Sequence, residues 1–146
     1  MAYSLRERAL KMLARREHTR YELARKLAPA GESAEIETVL DELEARGWLS
    51  ESRVTEQLIH ARRSRFGARR IERDLRERGV SDEAVAAVLP QLKEGELEAA
   101  RTVWRRKFGR QPKGPAEQAR HVRFLQGRGF ELEVIFKVIK GSDDEG

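Results

Sequence analysis

Apolar residues recur along this chain in three similar blocks. In each block an apolar or ring-bearing residue is followed four positions on by a leucine and, after four more, by a glycine: Leu23/Leu27/Gly31, Ile71/Leu75/Gly79 and His121/Leu125/Gly129. A step of four keeps the first two residues on one face of a helix. Leu27 to Leu75 and Gly31 to Gly79 are 48 residues each, and Leu75 to Leu125 and Gly79 to Gly129 are 50. So regular a period marks an internal repeat. Behind each glycine a second apolar set returns at helical spacing: Ile36/Val39/Leu40, Val85/Val88/Leu89 and Ile135/Val138/Ile139. Ahead of each triplet lies a third: Ala9/Met12/Leu13, Leu58/Ile59 and Leu97/Ala100/Trp104. The pattern predicts three helices per unit, with unit one over residues 1–50, unit two over 51–93 and unit three over 94–140.

Helix punctuation agrees with these elements. Thr19 and Glu22 have the spacing of a capping box, in which hydroxyl and carboxylate each take an orphan amide of the first turn. Gly114-Pro115 predicts another helix start, because proline at the first helical position gives up an amide that has no partner there anyway. Arg46-Gly47, Arg78-Gly79 and Arg128-Gly129 each pair a cation with a glycine suited to a left-handed C-terminal cap, so each reads as a helix stop. The one long connection, Arg110 to Pro115, separates Phe108-Gly109 from the third triplet.

Composition narrows the architecture. With 39% apolar and 38% charged residues, the chain has too little apolar surface for one large spherical core. Small cores shared between stacked units fit better. The expected fold is therefore all-α, an elongated, curved stack of three tandem three-helix units with about nine helices. Residues 141–146 read as a disordered acidic tail. There is no cysteine, so disulfides and thiolate metal sites are excluded. Met1 to Arg8 lacks the apolar stretch of a signal peptide, and no run approaches the length of a membrane span, so a cytoplasmic protein is expected.

Charge is unevenly placed. The formal net charge is +5 and the pI about 9.9, yet unit one is balanced and the excess falls in units two and three. Arg62, Arg63, Arg65, Arg69, Arg70, Arg73, Arg76 and Arg78 are opposed between residues 62 and 78 only by Glu72, Asp74 and Glu77. Arg101, Arg105, Arg106, Lys107, Arg110 and Lys113 follow with no acid among them. On a helix, Arg69, Arg73 and Arg76 share a stripe apart from Ala68, Ile71 and Leu75, so one face docks while the other presents guanidinium forks. The candidate binding residues are Arg62, Arg63, Arg65, Arg69, Arg70, Arg73, Arg76, Arg105, Arg106, Lys107, Arg110 and Lys113.

No pattern of catalytic residues emerges. A phosphate-binding Gly-x-x-x-x-Gly-Lys-Ser/Thr loop and a His-Glu-x-x-His pair are both missing. His18, His60 and His121 have no neighbouring ligand type and read as structural. Asp41-Glu42 sits on a charged helix face and Asp143-Asp144-Glu145 in the tail. Trp48, Phe66, Trp104, Phe108 and Phe130 fall at helix ends or on apolar stripes and are expected to pack, with Trp48 and Phe130 as the contacts that accompany glycine caps. The residues predict a non-enzymatic module with neither cofactor nor metal.

The stretch Arg63-Ser-Arg-Phe-Gly-Ala-Arg-Arg-Ile-Glu-Arg-Asp-Leu-Arg-Glu-Arg-Gly-Val80 resembles the central signature of the RecX family of bacterial recombination regulators. Arg16-Glu-His-Thr-Arg-Tyr-Glu-Leu-Ala-Arg-Lys-Leu27, Gly47-Trp-Leu-Ser-Glu-Ser-Arg53, Arg106-Lys-Phe-Gly109 and Arg123-Phe-Leu-Gln-Gly-Arg-Gly-Phe130 are similar to further parts of its pattern. Together they extend the resemblance over residues 5 to about 140. Val54-Thr55 departs from the aromatic and small residue usual there, and the proline common near Ala68 is missing.

The resemblance implies a stack of three three-helix units that binds the RecA filament on single-stranded DNA and lowers its ATPase, strand-exchange and co-protease activities. A monomer with no membrane partner is expected, and single- and double-stranded DNA are candidate partners besides the filament. Two other readings stay open at this point: a stand-alone DNA-binding protein of helix-turn-helix-like repeats, and a helical adaptor for some other protein.

Overall fold

A computed structural model describes residues 3–141. Among them are nine α-helices and no strand: α1 (Leu5–Arg15), α2 (Arg20–Leu27), α3 (Ser33–Ala45), α4 (Glu51–Arg62), α5 (Ala68–Glu77), α6 (Asp82–Glu94), α7 (Glu96–Lys107), α8 (Gly114–Gly127) and α9 (Leu132–Ile139). A short 3-10 turn, Ala28–Ala30, follows α2. The expected acidic tail lies outside the described residues from position 142 onward.

The caps form as the sequence predicts. Thr19 accepts the Glu22 amide while Glu22 accepts the Thr19 amide, and Ser4 with Glu7 closes a second box on α1. α8 begins at Gly114 with a proline in its first turn. Gly47, Gly79 and Gly129 end α3, α5 and α8 in the left-handed region. At each, the next amide reaches back to a leucine carbonyl in the closing turn: Trp48 to Leu43, Val80 to Leu75 and Phe130 to Leu125.

Three separate cores result. Ala9, Leu23, Leu27, Ile36, Leu40, Leu43 and Leu49 form the first. Leu58, Ile59, Ala68, Ile71, Leu75, Val80, Val85 and Leu92 form the second, and Ala99, Ala100, Val103, Leu125, Phe130, Ile135, Val138 and Ile139 the third. Val54 and Thr55 are buried, the threonine hydroxyl bonding back to the Glu51 carbonyl at 2.9 Å, so this departure from the family pattern is accommodated within α4. His121 occupies the slot held by Leu23 and Ile71 in the other units. Its Nδ1 accepts the Trp104 indole N–H at 3.1 Å and its ring stacks on Phe108 at 3.7 Å. His18 is buried as well, bonded to the Arg16 carbonyl and to Lys26.

Trp48 corrects one expectation. It is 42% exposed, while Leu49 behind it is 3% exposed and fills the place of the capping contact. The guanidinium carbons of Arg6 and Arg46 lie 5.6 and 5.3 Å from the Trp48 ring, which keeps the indole at the surface. In the other two units the residue directly after the capping glycine, Val80 or Phe130, is itself buried.

Both junctions between units follow one plan: the C-cap of a middle helix docks on the N-cap of the preceding unit's middle helix. Between units one and two, the hydroxyl of Thr19, N-cap of α2, donates to the carbonyl of Arg78, C-cap of α5. Between units two and three, the amide of Gly67, N-cap of α5, donates at 2.8 Å to the carbonyl of Arg128, C-cap of α8. Gly79 and Gly129 both have φ of 90°. A Cβ on either would stand 2.3 Å from the Cβ of Tyr21 or Arg70 respectively, so close approach and backbone conformation both select glycine.

Candidate interaction surface

At the first junction the charges are satisfied internally. Arg78 holds Glu22 in a fork, Nε to Oε2 at 3.0 Å and Nη2 to Oε1 at 3.1 Å, and also donates to the Glu17 carbonyl. Arg53 pairs with the Glu17 carboxylate at 2.9 Å. Burial would push the Glu22 carboxyl up, but the Arg78 hydrogen bonds, the Thr19 amide and the nearby charges of Arg78 and Arg16 outweigh it and leave it below its ordinary range.

The second junction uses backbone and one buried acid. Besides the Gly67 bond, the Arg69 amide donates to the Gly129 carbonyl at 3.2 Å. Glu96, only 4% exposed, accepts the amides of Ala68 and Glu131, both at 3.3 Å. One carboxylate thus serves the N-termini of α5 and α9, where helix dipoles favour negative charge. Burial nevertheless pushes its carboxyl above the ordinary range, with Glu131 adding to the shift and the two amides and Lys93 opposing it.

With backbone carrying this contact, the cations around it are left over. Of the candidate residues, Arg62 pairs with Asp74 at 2.6 Å, and Arg76 with Glu72 and Asp82 at 3.0 and 2.6 Å. Arg70 Nε lies 3.5 Å from Asp74, shut off from solvent and without hydrogen-bond geometry. Among the described residues, Arg63, Arg65, Arg69, Arg73, Arg105, Arg106, Lys107, Arg110 and Lys113 form no ion pair. Arg76 is therefore not equivalent to Arg69 and Arg73 on the predicted stripe, because two carboxylates already occupy its guanidinium.

Two clefts flank the Gly67–Arg128 contact. One, of about 320 Å³, is polar and bounded by Arg69, Arg70 and Arg73 of α5 and by Gln126 and Gly127 at the end of α8. The other, of about 270 Å³, places Arg65, Arg106, Lys107 and Arg128 around Val103 and Phe124. Arg110 and Lys113 are in the connection before α8. There the Lys113 amide donates to Glu117 at 2.7 Å. That bond lowers the Glu117 carboxyl against a burial cost, helped by the charges of Arg120, Arg110 and Lys113.

Arg128 and two phenylalanines complete the surface and were not among the sequence candidates. The Phe66 ring is ringed by the guanidiniums of Arg70, Arg128, Arg65 and Arg62, at 4.5, 5.5, 5.7 and 5.9 Å. Arg128 also lies 5.1 Å from the Phe124 ring, which Lys107 approaches to 5.2 Å. The sequence marks Arg128 as a helix stop; only the repeat, which pairs it with Arg78, signals that its carbonyl lies at a junction. Glu96 carried no comparable signal, since an acid in the first turn of an amphipathic helix reads as exposed.

Similarity to known proteins follows the same three-unit order. Models of the first, second and third three-helix domains of RecX match residues 6–43, 50–89 and 94–139. Regulatory protein RecX of Leptothrix cholodnii is 50% identical over 143 residues, 97% of this chain and 91% of that protein. The Ralstonia nicotianae protein of the same name is 46% identical over 141 residues, 96% of this chain and 89% of that protein. The crystal structure of RecX from Lactobacillus salivarius superposes with a TM-score of 0.81 over 95% of this chain and 94% of that one, at 18% identity. Three domains in order, relatives matched over nearly their full length and the shared helical stack place the chain in the RecX family.

Proposed function

We propose that the chain is a non-enzymatic negative regulator of the RecA recombinase. It binds the RecA filament on single-stranded DNA and lowers the filament's ATPase, strand-exchange and co-protease activities. The observation that carries this reading is the set of unpaired cations at the second junction of a chain with all three RecX domains in order. Arg69 and Arg73 form the centre of the contact, and Arg63, Arg65, Arg105, Arg106 and Lys107 widen it. Arg62, Arg70 and Arg76 support it through their carboxylate partners, and Arg110 and Lys113 extend it along unit three. A monomeric stack this long reaches more than one filament subunit, so modest contacts add through effective concentration.

The test is RecA's single-strand-dependent ATP hydrolysis, titrated with the wild-type chain and with an Arg69→Glu/Arg73→Glu variant. Inhibition below one molecule per RecA is expected for the wild type. The variant should need about tenfold more protein, as expected when charge pairs across an interface are reversed, while its circular dichroism and melting stay unchanged. No inhibition by the wild type at any ratio would overturn the reading.

The polar cleft at Arg69, Arg70 and Arg73 favours a second reading, a stand-alone binder of DNA phosphates. That reading predicts affinity for naked DNA that falls steeply with salt, with a slope close to the number of phosphates neutralised. A flat salt response with filament inhibition intact separates the two.

A further inference from the structure

The second cleft is built differently from its polar neighbour. Arg65 comes from the turn after α4, Arg106 and Lys107 from the end of α7 and Arg128 from the C-cap of α8, so units two and three both contribute. None of these four cations meets a carboxylate among the described residues. Between them the lining is apolar, with Val103 and Phe124 in a volume of about 270 Å³, enough room for a leucine or phenylalanine side chain.

We infer that this cleft is a docking site for an acidic protein segment that carries an apolar side chain. Three guanidiniums and an ammonium around an apolar centre match carboxylates flanking a hydrophobic anchor. A sugar-phosphate strand would satisfy the cations and leave the half-buried Phe124 without apolar cover. Base stacking does not use this surface either, because stacking needs an open ring face. Four guanidiniums stand within 5.9 Å of the Phe66 centroid. Arg128, Lys107 and the edge-on ring of Phe108, at 5.6 Å, crowd Phe124. Arg65, Arg106 and Lys107 also lie at the margin of the proposed RecA contact, but the inference is argued from the cleft itself and holds whether or not RecA is the partner, since Arg69 and Arg73, the centre of that contact, do not line it.

A fluorescein-labelled octapeptide, Asp-Asp-Leu-Asp-Asp-Leu-Asp-Asp, provides the test, with binding read by anisotropy at about 0.15 M salt. Replacing both leucines by serine should weaken binding about tenfold or more, the scale set by burying one leucine. An Arg106→Glu/Lys107→Glu variant should lose the peptide by a similar factor, whereas Arg15→Glu, exposed in the last turn of α1 and far from the cleft, should bind as the wild type does. Arg65→Glu serves as an independent variant, with circular dichroism checking that each is folded. The proposal falls if the leucine and serine peptides bind alike, or if none of the cleft variants weakens binding. It falls equally if a thymidine oligonucleotide of equal charge binds more tightly than the peptide and loses that affinity in the same variants.

Discussion

The two junctions answer one mechanical problem with different chemistry, and the difference decides where the protein has charge to spare. Each must seat an Arg-Gly cap on the start of a neighbouring helix. The first does so with side chains: the Thr19 hydroxyl, the Arg78–Glu22 fork and the Arg53–Glu17 pair. Its arginines are consumed by the fold. The second does so with the amides of Gly67 and Arg69 and with buried Glu96. Backbone bonds need no side-chain charge, so Arg65, Arg69, Arg73, Arg106 and Lys107 remain available around it. The reactive-looking surface is thus a consequence of how its junction is closed.

The contrast is broken most severely at Gly129. Alanine there must hold a positive φ and place its Cβ 2.5 Å from the Arg70 nitrogen as well as against its Cβ. Strain and overlap together should cost about 3 kcal/mol or more, lowering Tm by about 10 °C in differential scanning calorimetry. Gly79→Ala should cost less, about 2 kcal/mol, because its added Cβ meets only side-chain atoms of Tyr21, whereas at Gly129 it also meets the backbone nitrogen and Cα of Arg70. Equal losses at both positions would remove the distinction between the junctions.

Glu96 comes next. Its removal in Glu96→Ala strands two buried amides, at about 1–3 kcal/mol for each unpaired group, while Glu96→Gln keeps one acceptor oxygen and should lose less than half as much. The pH response carries a definite sign. A carboxyl held above its ordinary range binds its proton more tightly folded than unfolded, so stability falls as pH rises through that window and recovers on acidification. Relative to Glu96→Gln, the wild type should gain stability as pH falls through the raised Glu96 value, read as urea midpoints.

At the first junction the sign reverses. Glu22, held below its ordinary range, contributes stability that is present above the unfolded value and is lost as pH falls through the folded one. Relative to Glu22→Gln, the wild type should weaken in acid. A double-mutant cycle on Arg78→Ala and Glu22→Gln should give a coupling of about 1–2 kcal/mol, the size of a charge-assisted hydrogen bond with partial burial. Acid therefore loosens one junction while relieving the other, and parallel pH profiles for the two glutamine variants would contradict the comparison directly.

How far these features can be read from the chain depends on whether they repeat. Helix periodicity, glycine caps and the Thr19–Glu22 box are local, so the nine helices and their stacking were legible. The excess of arginine over acid in unit two was legible too, but its division into engaged and unengaged groups was not. Asp74 and Asp82 reach Arg62 and Arg76 only once α4, α5 and α6 have packed. Arg128 was hidden by its local role as a cap. Trp48 was misjudged because one cap pattern serves two outcomes: when the following residue is Leu49, the aliphatic chain takes the buried place and the indole is free to lie between Arg6 and Arg46.

Gly47 gives the smallest effect and isolates one component of the largest. It has φ of 78°, close to Gly79 and Gly129, but a Cβ added to it meets nothing within 4 Å. Gly47→Ala therefore measures the left-handed backbone cost without a junction, about 1 kcal/mol. Subtracting that loss from those of Gly79→Ala and Gly129→Ala leaves the docking component at each junction. That remainder should be larger for Gly129, where the added Cβ meets backbone atoms of Arg70 as well as its Cβ, than for Gly79, where it meets only the Tyr21 side chain. A Gly47→Ala loss as large as that of Gly129→Ala would assign the whole effect to φ and leave the close approach without energetic weight.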